Sequence, residues 1–274
     1  MERRILGRTG LSVSMLGIGA AQLGVFDLSD EAECVRVAHE CFDAGVNLID
    51  TADFYSFGKS EKVVAKVITD RRDKIIVASK CGMPLSADSN ERGGSRRWIM
   101  TAIDRSLKRL NTDYIDIYQL HAPDPRTEIE ETIDAMNDLI KAGKIRYFGT
   151  SNFTGQMTSE AHLRGKLAGL TPPHSEQSEY SIFNRAPEAE VLPANHKYGV
   201  GFLAYSPLDG GWLSGKYRKA QAFEKSARQK VQPDRFDLQN PINADKLERV
   251  EKLIALAKEA GMDLGHLAIG FVLA

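Results

Sequence analysis

Short apolar runs recur along this chain with room for one helix between neighbours, and most stop at a residue able to do chemistry. Val46-Asn-Leu-Ile leads into Asp50, Ile75-Ile-Val-Ala-Ser79 into Lys80, and Ile115-Asp-Ile-Tyr-Gln-Leu120 into His121. Ile145-Arg-Tyr-Phe-Gly-Thr150 leads into Ser151-Asn152, and Val200-Gly-Phe-Leu-Ala204 into Tyr205-Ser206-Pro207. With Met15-Leu-Gly-Ile-Gly19 and a run starting near position 175, these make seven expected strands. Helical stripes lie between and after them: Ile99, Ile103, Leu107 and Leu110; Ile129, Ile133, Met136 and Ile140; Leu247, Val250, Ile254 and Ala257. A strand–helix repeat of this kind implies a parallel sheet. When such a sheet closes into a barrel, the strand ends gather around one opening, where the active sites of that architecture lie.

The 274 residues suffice for one barrel domain, and a single domain over 1–274 is expected because no composition shift marks a boundary. Arg3–Gly7 and Leu11–Ser14, flanking Arg8-Thr9-Gly10, read as a hairpin ahead of the first barrel strand. A net charge of −1 gives no reason to expect a nucleic-acid partner. The N-terminus lacks the apolar core of a secretory signal, and no apolar run approaches the roughly 20 residues that span a bilayer. The three cysteines, Cys34, Cys41 and Cys81, have no metal-type spacing and fit a reduced cytoplasmic setting. His39, His162, His174, His196 and His266 show no ligand spacing either, so no metal is expected. The stretch from about 206 to 244 is irregular and rich in Gly, Lys, Gln and Asp, and reads as a lid over a cofactor. Arg92-Gly-Gly-Ser-Arg-Arg97 reads as a flexible loop entering a helix at Trp98 rather than as an anion contact, and Phe26, Phe54, Phe57 and Trp98 are candidates for lining an apolar pocket, with packing of Trp98 against its own helix an equal reading.

Asp50, Tyr55, Lys80 and His121 form a complementary chemical set. A phenol, with an ordinary pKa of about 10, donates a proton poorly at neutral pH unless its anion is stabilised. A nearby ammonium supplies that stabilisation, and a buried ammonium in turn needs a carboxylate. An imidazole can share the phenol's proton or orient a carbonyl oxygen. Such a set protonates a carbonyl oxygen, or deprotonates an alcohol in reverse, while a hydride carrier such as a nicotinamide cofactor does the redox step. Taken singly, each residue has an ordinary use: Asp50-Thr51 and Ser151-Asn152 as caps, Lys80 as a solvated lysine, Tyr55 as a packing aromatic, His121 as a loop histidine. Their order at successive strand ends argues for the joint reading.

Asp50-Thr-Ala-Asp-Phe-Tyr55, Gly58-Lys-Ser-Glu61, Ser79-Lys80 and Tyr114-Ile-Asp-Ile-Tyr-Gln-Leu-His121 resemble, in sequence order, segments of the aldo-keto reductase superfamily. So do Gly149-Thr-Ser-Asn-Phe153, Glu176-Gln-Ser-Glu-Tyr180, Tyr205-Ser-Pro-Leu208 and Gly211-Trp-Leu-Ser-Gly-Lys-Tyr217. The resemblance covers nearly the whole chain. It is closest to the bacterial aryl-alcohol dehydrogenase-like reductases and the potassium-channel β subunits of that superfamily. It implies an α/β fold, a (β/α)8 TIM barrel with an N-terminal β-hairpin, and NADP(H) as cofactor with NAD(H) the alternative. It implies Tyr55 as general acid, Lys80 held by Asp50 to depress the Tyr55 pKa, and His121 to orient the carbonyl. Ser151, Asn152 and Gln177 would bind the nicotinamide carboxamide and Tyr205 would stack on the ring. Ser206, Pro207, Leu208 and Lys216 would line the pyrophosphate side, with Gly19 and Ala20 bordering the site. The substrate would be a small carbonyl or alcohol.

Seven strands are one short of that barrel. The eighth strand, the last helix and the Gly-x-Arg segment with which the family grips the adenosine are all missing from this sequence, which is expected to be a fragment of a longer protein. Two other readings go with the resemblance: a cofactor-sensing binding subunit with slow turnover, for which the match over Pro173–Arg185 speaks, and an NAD-dependent sugar dehydrogenase. Neither the substrate nor the oligomeric state is legible in the sequence.

Overall fold

The computed structural model describes residues 1–23, 30–219 and 232–274. Strands β1 (Arg3–Ile5) and β2 (Ser12–Ser14) pair antiparallel as the expected hairpin, with Arg3 opposite Ser14. Seven further strands follow: β3 (Ile18–Gly19), β4 (Leu48–Asp50), β5 (Ile76–Cys81), β6 (Ile115–Leu120), β7 (Ile145–Ser151), β8 (Ser175–Glu179) and β9 (Gly201–Tyr205). They form one sheet in strictly sequential order, and the pairings from β3 to β8 are parallel. This is the strand order of the (β/α)8 barrel class. The first barrel strand is only two residues long, shorter than the expected run over 15–19.

Helices α1 (Glu31–Asp43), α2 (Lys59–Ile68), α3 (Arg96–Leu110), α4 (Ile129–Lys141), α5 (Gly155–Leu167) and α6 (Val191–Tyr198) alternate with the strands. Their ends follow from local chemistry. Asp30 accepts from the backbone N–H of Ala32 and Glu33 at the start of α1, Ser95 from Trp98 N–H at α3, and Thr154 from Met157 N–H at α5. Asn111, in the left-handed region, closes α3.

Alternation along each strand sorts residues onto two faces. Outward-facing Ile49, Val77, Tyr118 and Phe148 pack with Ala38 and Phe42 of α1, Val64 and Val67 of α2, Ile99 and Ile103 of α3, and Ile133 and Met136 of α4. Inward-facing Leu48, Ile76, Ala78 and Ile117 form a second, smaller cluster with Leu6 and Val13 of the hairpin. One step further along the same inner face come Asp50, Lys80 and Gln119, so a polar layer stands directly above an apolar one.

The chain divides into two compact units. The first comprises Met1–Ser178 and Pro187–Leu203, the second Glu179–Ala186 and Ala204–Ala274. The second has its own core of Trp212, Leu213, Tyr217, Phe236, Leu247, Val250, Leu264 and Ala268, built on helices α7 (Pro241–Glu259) and α8 (Leu264–Leu273). The stretch read from sequence as an irregular lid contains two short 3-10 turns, Asp209–Ser214 and Pro233–Phe236, and α7 begins inside it. The aromatic residues explain this order: Trp212 stacks on Phe236 at 5.4 Å, and Tyr217 lies 5.0 Å from Phe236. Residues 220–231 of that stretch, and Phe26, lie outside the described residues.

Candidate active site

The strand ends of the first unit bring Asp50, Tyr55, Lys80 and His121 together. Lys80 is fully buried and its ammonium makes three hydrogen bonds: to Asp50 Oδ1 at 2.5 Å, to the Thr51 carbonyl at 3.0 Å and to the Tyr55 hydroxyl at 3.3 Å. All three of its protons therefore have acceptors. The His121 ring stands edge-on to the Tyr55 ring, with centroids 5.6 Å apart, and its Nδ1 has no partner among the described residues.

The electrostatics follow from burial and one ion pair. Burial pushes the Lys80 ammonium down, but the Asp50 charge and the Tyr55 oxygen outweigh it and hold the group above its ordinary value. Burial also dominates at Tyr55 and raises its phenol. Lys80 pulls the other way, as the sequence suggested, but the net direction is upward, with Asp50 adding to it. Loss of water around the phenolate outweighs the single ammonium, so the proton stays on Tyr55 at neutral pH. Burial, then Lys80, lowers His121 to about 3, which leaves a neutral imidazole.

Tyr55 sits at the start of a tight turn. Ser56 (φ 50), Phe57 (φ 52) and Gly58 (φ 84) are left-handed in succession, a conformation that only glycine adopts cheaply. A Cβ on Gly58 would lie 2.6 Å from Arg109 Cδ. Behind the turn, buried Glu61 accepts from Ser79 Oγ at 2.7 Å and from Arg109 Nε at 2.6 Å. The Thr51 hydroxyl bonds Ser60 Oγ, which donates to the Ala20 carbonyl, each at 2.7 Å. Buried Ala20 is thus tied to the start of α2, whereas Gly19, paired with Asp50, faces open space.

Ser151, Asn152 and Gln177 also converge. Ser151 Oγ donates to the Gln177 carbonyl at 2.9 Å, and Asn152 Nδ2 donates to Ser151 Oγ and to the His121 carbonyl, each at 3.0 Å. Gln177 Nε2 donates to Asp50 Oδ2 at 3.0 Å. On the outer face, buried Glu176 accepts from Thr150 Oγ1 (2.5 Å), Ser178 Oγ (2.9 Å) and Phe153 N–H (3.0 Å), bracing the bend where Asn152 takes φ 62. Burial raises the Glu176 carboxyl to about 7. These amide and hydroxyl groups suit a primary carboxamide, which needs both donors and acceptors. With Asn152 exposed and Asp50 not fully buried, the residues fit the nicotinamide end of a cofactor.

The remaining candidates belong to the second unit. Tyr205 ends β9, and Ser206 (φ 54) with Pro207 and Leu208 leads into the turn beginning at Asp209 (φ 46). The Lys216 ammonium lies 5.1 Å from the Tyr217 ring centroid. Asp209 is held by Lys246 at 2.7 Å and Arg235 at 3.4 Å.

Among the aromatic residues proposed for a pocket, Trp98 is buried in the outer core instead, packed with Ile99, Ala102 and Ile103 of its own helix. Phe57 is exposed, with its ring 6.2 Å from that of half-buried Phe54. The 92–97 loop is pinned, since Gly94 N–H donates to Asp124 Oδ2 at 2.9 Å. Among the described residues, no group of three or more His, Cys, Asp or Glu side chains could hold a metal, and no helix is long and apolar enough to cross a membrane. Sequence reasoning passed over three buried polar groups: Asp53, the Glu61–Arg109 pair and Gln119. For Gln119 a signal was present, because the period of two puts it on the same strand face as His121.

A family model described as "Aldo/keto reductase family" matches residues 15–274. Among curated relatives, the chain is 37% identical to an "Uncharacterized oxidoreductase YrpG" of Bacillus subtilis (strain 168), over 100% of this chain and 84% of the relative. It is 36% identical to a "Probable voltage-gated potassium channel subunit beta" of Oryza sativa subsp. japonica, covering 99% and 83%. To "Aldo-keto reductase YhdN" of Bacillus subtilis (strain 168) the identity is 35%, covering 100% and 81%.

Proposed function

The chain belongs to the aldo/keto reductase family, whose members use NAD(P)H, and from that premise we propose that it reduces aldehydes or ketones to alcohols reversibly, with NADP(H) as cofactor and Tyr55 as general acid. The observation that carries this reading is the Lys80 ammonium, bound at once to Asp50 and to the Tyr55 hydroxyl. The hydride accepted by the carbonyl carbon is the chemistry that the cofactor supplies when bound. As negative charge builds on the carbonyl oxygen, Tyr55 gives it a proton, and Lys80 stabilises the phenolate left behind. Neutral His121 orients the carbonyl oxygen by hydrogen bonding. Ser151, Asn152 and Gln177 hold the carboxamide and so select one ring face.

Tyr55→Phe is expected to abolish turnover while NADPH affinity, read by fluorescence titration, stays within about twofold of wild type, since only the hydroxyl is removed. Undiminished turnover in that variant would sink the mechanism. The similarity to the rice β subunit favours a second reading, a cofactor-sensing subunit with slow turnover. A panel of aromatic aldehydes and ketones run with NADH and with NADPH, and of sugars run with NAD+ and with NADP+, separates these readings. Rapid turnover supports the reductase, slow turnover with every compound supports the subunit, and sugar oxidation with NAD points to a dehydrogenase.

A further inference from the structure

Gln119 is a fully buried amide on the inner sheet face, one step above Ile117 of the apolar inner cluster. In register it stands opposite Lys80 on one side and Gly149 on the other. A Cβ on Gly149 would clash with Ser175, at 2.3 Å from its Oγ, and would touch Gln119 Cγ at 3.4 Å, so the Gln119 stem passes directly beside Gly149. Its Nε2 donates to Asp50 Oδ2 at 3.4 Å, a long bond to the same oxygen that Gln177 Nε2 reaches at 3.0 Å. The other oxygen, Oδ1, takes Lys80. Reversing the Gln119 amide would set its carbonyl against the carboxylate, so Asp50 dictates its orientation. The consequence is visible: Gln119 Oε1 is buried with no partner among the described residues. An unpaired buried acceptor is destabilising, and an apolar side chain of the same length would avoid it.

We propose that Gln119 is a positioning residue of the reduction site: its amide holds the Asp50 carboxylate so that one oxygen serves Lys80 and the other is turned away from it. The proposal rests on the carbonyl-reduction reading. Two amides on Oδ2 disperse the Asp50 charge away from Lys80 and Tyr55. Gln177 is also the candidate carboxamide contact, whereas Gln119 is wholly enclosed and serves Asp50 whether or not cofactor is present. The titratable groups around this carboxylate are Lys80 from β5, Tyr55 from the turn after β4, and His121 after β6. Asp53 lies beyond Lys80, and Tyr147 is one layer down on β7. Among these, Asp50 opposes ionisation of Tyr55 and Lys80 favours it. Without Gln119 more of the Asp50 charge acts on the pair, and Tyr55 becomes a weaker acid.

Gln119→Leu is expected to lower kcat for 4-nitrobenzaldehyde with NADPH about tenfold, the size of one hydrogen bond to a charged group. The aldehyde KM and the NADPH Kd should stay within about twofold. The Tyr55 ionisation midpoint, read as alkaline tyrosinate absorbance against the matching Tyr55→Phe protein, should rise by about half a unit or more. Gln119→Met, which keeps the stem but not the donor, should behave alike and guards against a folding defect in the leucine variant. An unchanged kcat and an unmoved midpoint in a folded variant overturn the proposal. If the wild type reduces no carbonyl, the parent reading fails, and the absorbance titration alone then decides the role of Gln119: a raised midpoint upholds the clamp and an unmoved one overturns it.

Discussion

At the scale of single residues, burial governs the ionisable groups and makes two expectations definite. His121, lowered to about 3 by burial and then by Lys80, carries no charge across the physiological range. The pH profile of kcat/KM for carbonyl reduction should therefore show no imidazole step between about pH 5 and 8. A step near 6.5 that vanishes in His121→Gln would contradict this. Asp53 is the second case. Burial first, then the Glu61 charge, lifts its carboxyl from 3.8 to about 8. The native chain then keeps a proton that the unfolded chain releases, so this group's contribution to stability falls as pH rises from the unfolded value to the folded one. An asparagine has no proton to lose. Asp53→Asn is expected to gain thermal stability over wild type progressively from pH 4 to pH 8, by calorimetry in matched buffers, and a constant difference across that window would rule the shift out.

At the scale of elements, the segment from β4 to α2 sets the position of Tyr55. Two non-glycine residues in left-handed conformation are tolerated there because both ends are tied: Thr51 and Ser60 to Ala20, and Glu61 to Ser79 and Arg109. Removing Arg109 would leave the fully buried Glu61 carboxylate without its counter-ion. Arg109→Met is expected to destabilise the protein by roughly 3–5 kcal/mol, measured by urea unfolding, as for other broken buried pairs. A loss under about 1 kcal/mol would contradict this. The Gly-Lys-Ser-Glu pattern over 58–61 was legible as part of the resemblance, but the pairing of Glu61 with Arg109 was not. The two residues are 48 apart and meet only because α2 and α3 pack side by side.

At the scale of the molecule, cofactor binding links the carboxamide candidates to stability. A ligand present at about 100 times its Kd adds roughly 2.7 kcal/mol to a native state that alone binds it. NADPH is expected to raise Tm. The rise should shrink in Asn152→Ala, measured from the Tm of that variant's own free protein, which loses two hydrogen bonds and holds alanine at φ 62. An equal rise in both proteins would exclude Asn152 from the cofactor site. The strand–helix rhythm, the inner and outer faces of each strand, and the chemical types at the strand ends all follow from local pattern. Hydrophobic periodicity and backbone geometry act over a few residues and are written in the chain itself. Which buried groups keep their protons, which amide faces Asp50 and which glycine must stay bare are set by neighbours far away in sequence. Lys80 and Asp50 could be paired from their chemistry. The rise of the Tyr55 phenol above its ordinary value, the neutral His121 and the clamp on Asp50 by Gln119 and Gln177 could not. Each depends on how much water packing removes and on side chains up to 127 residues apart being brought within hydrogen-bond distance.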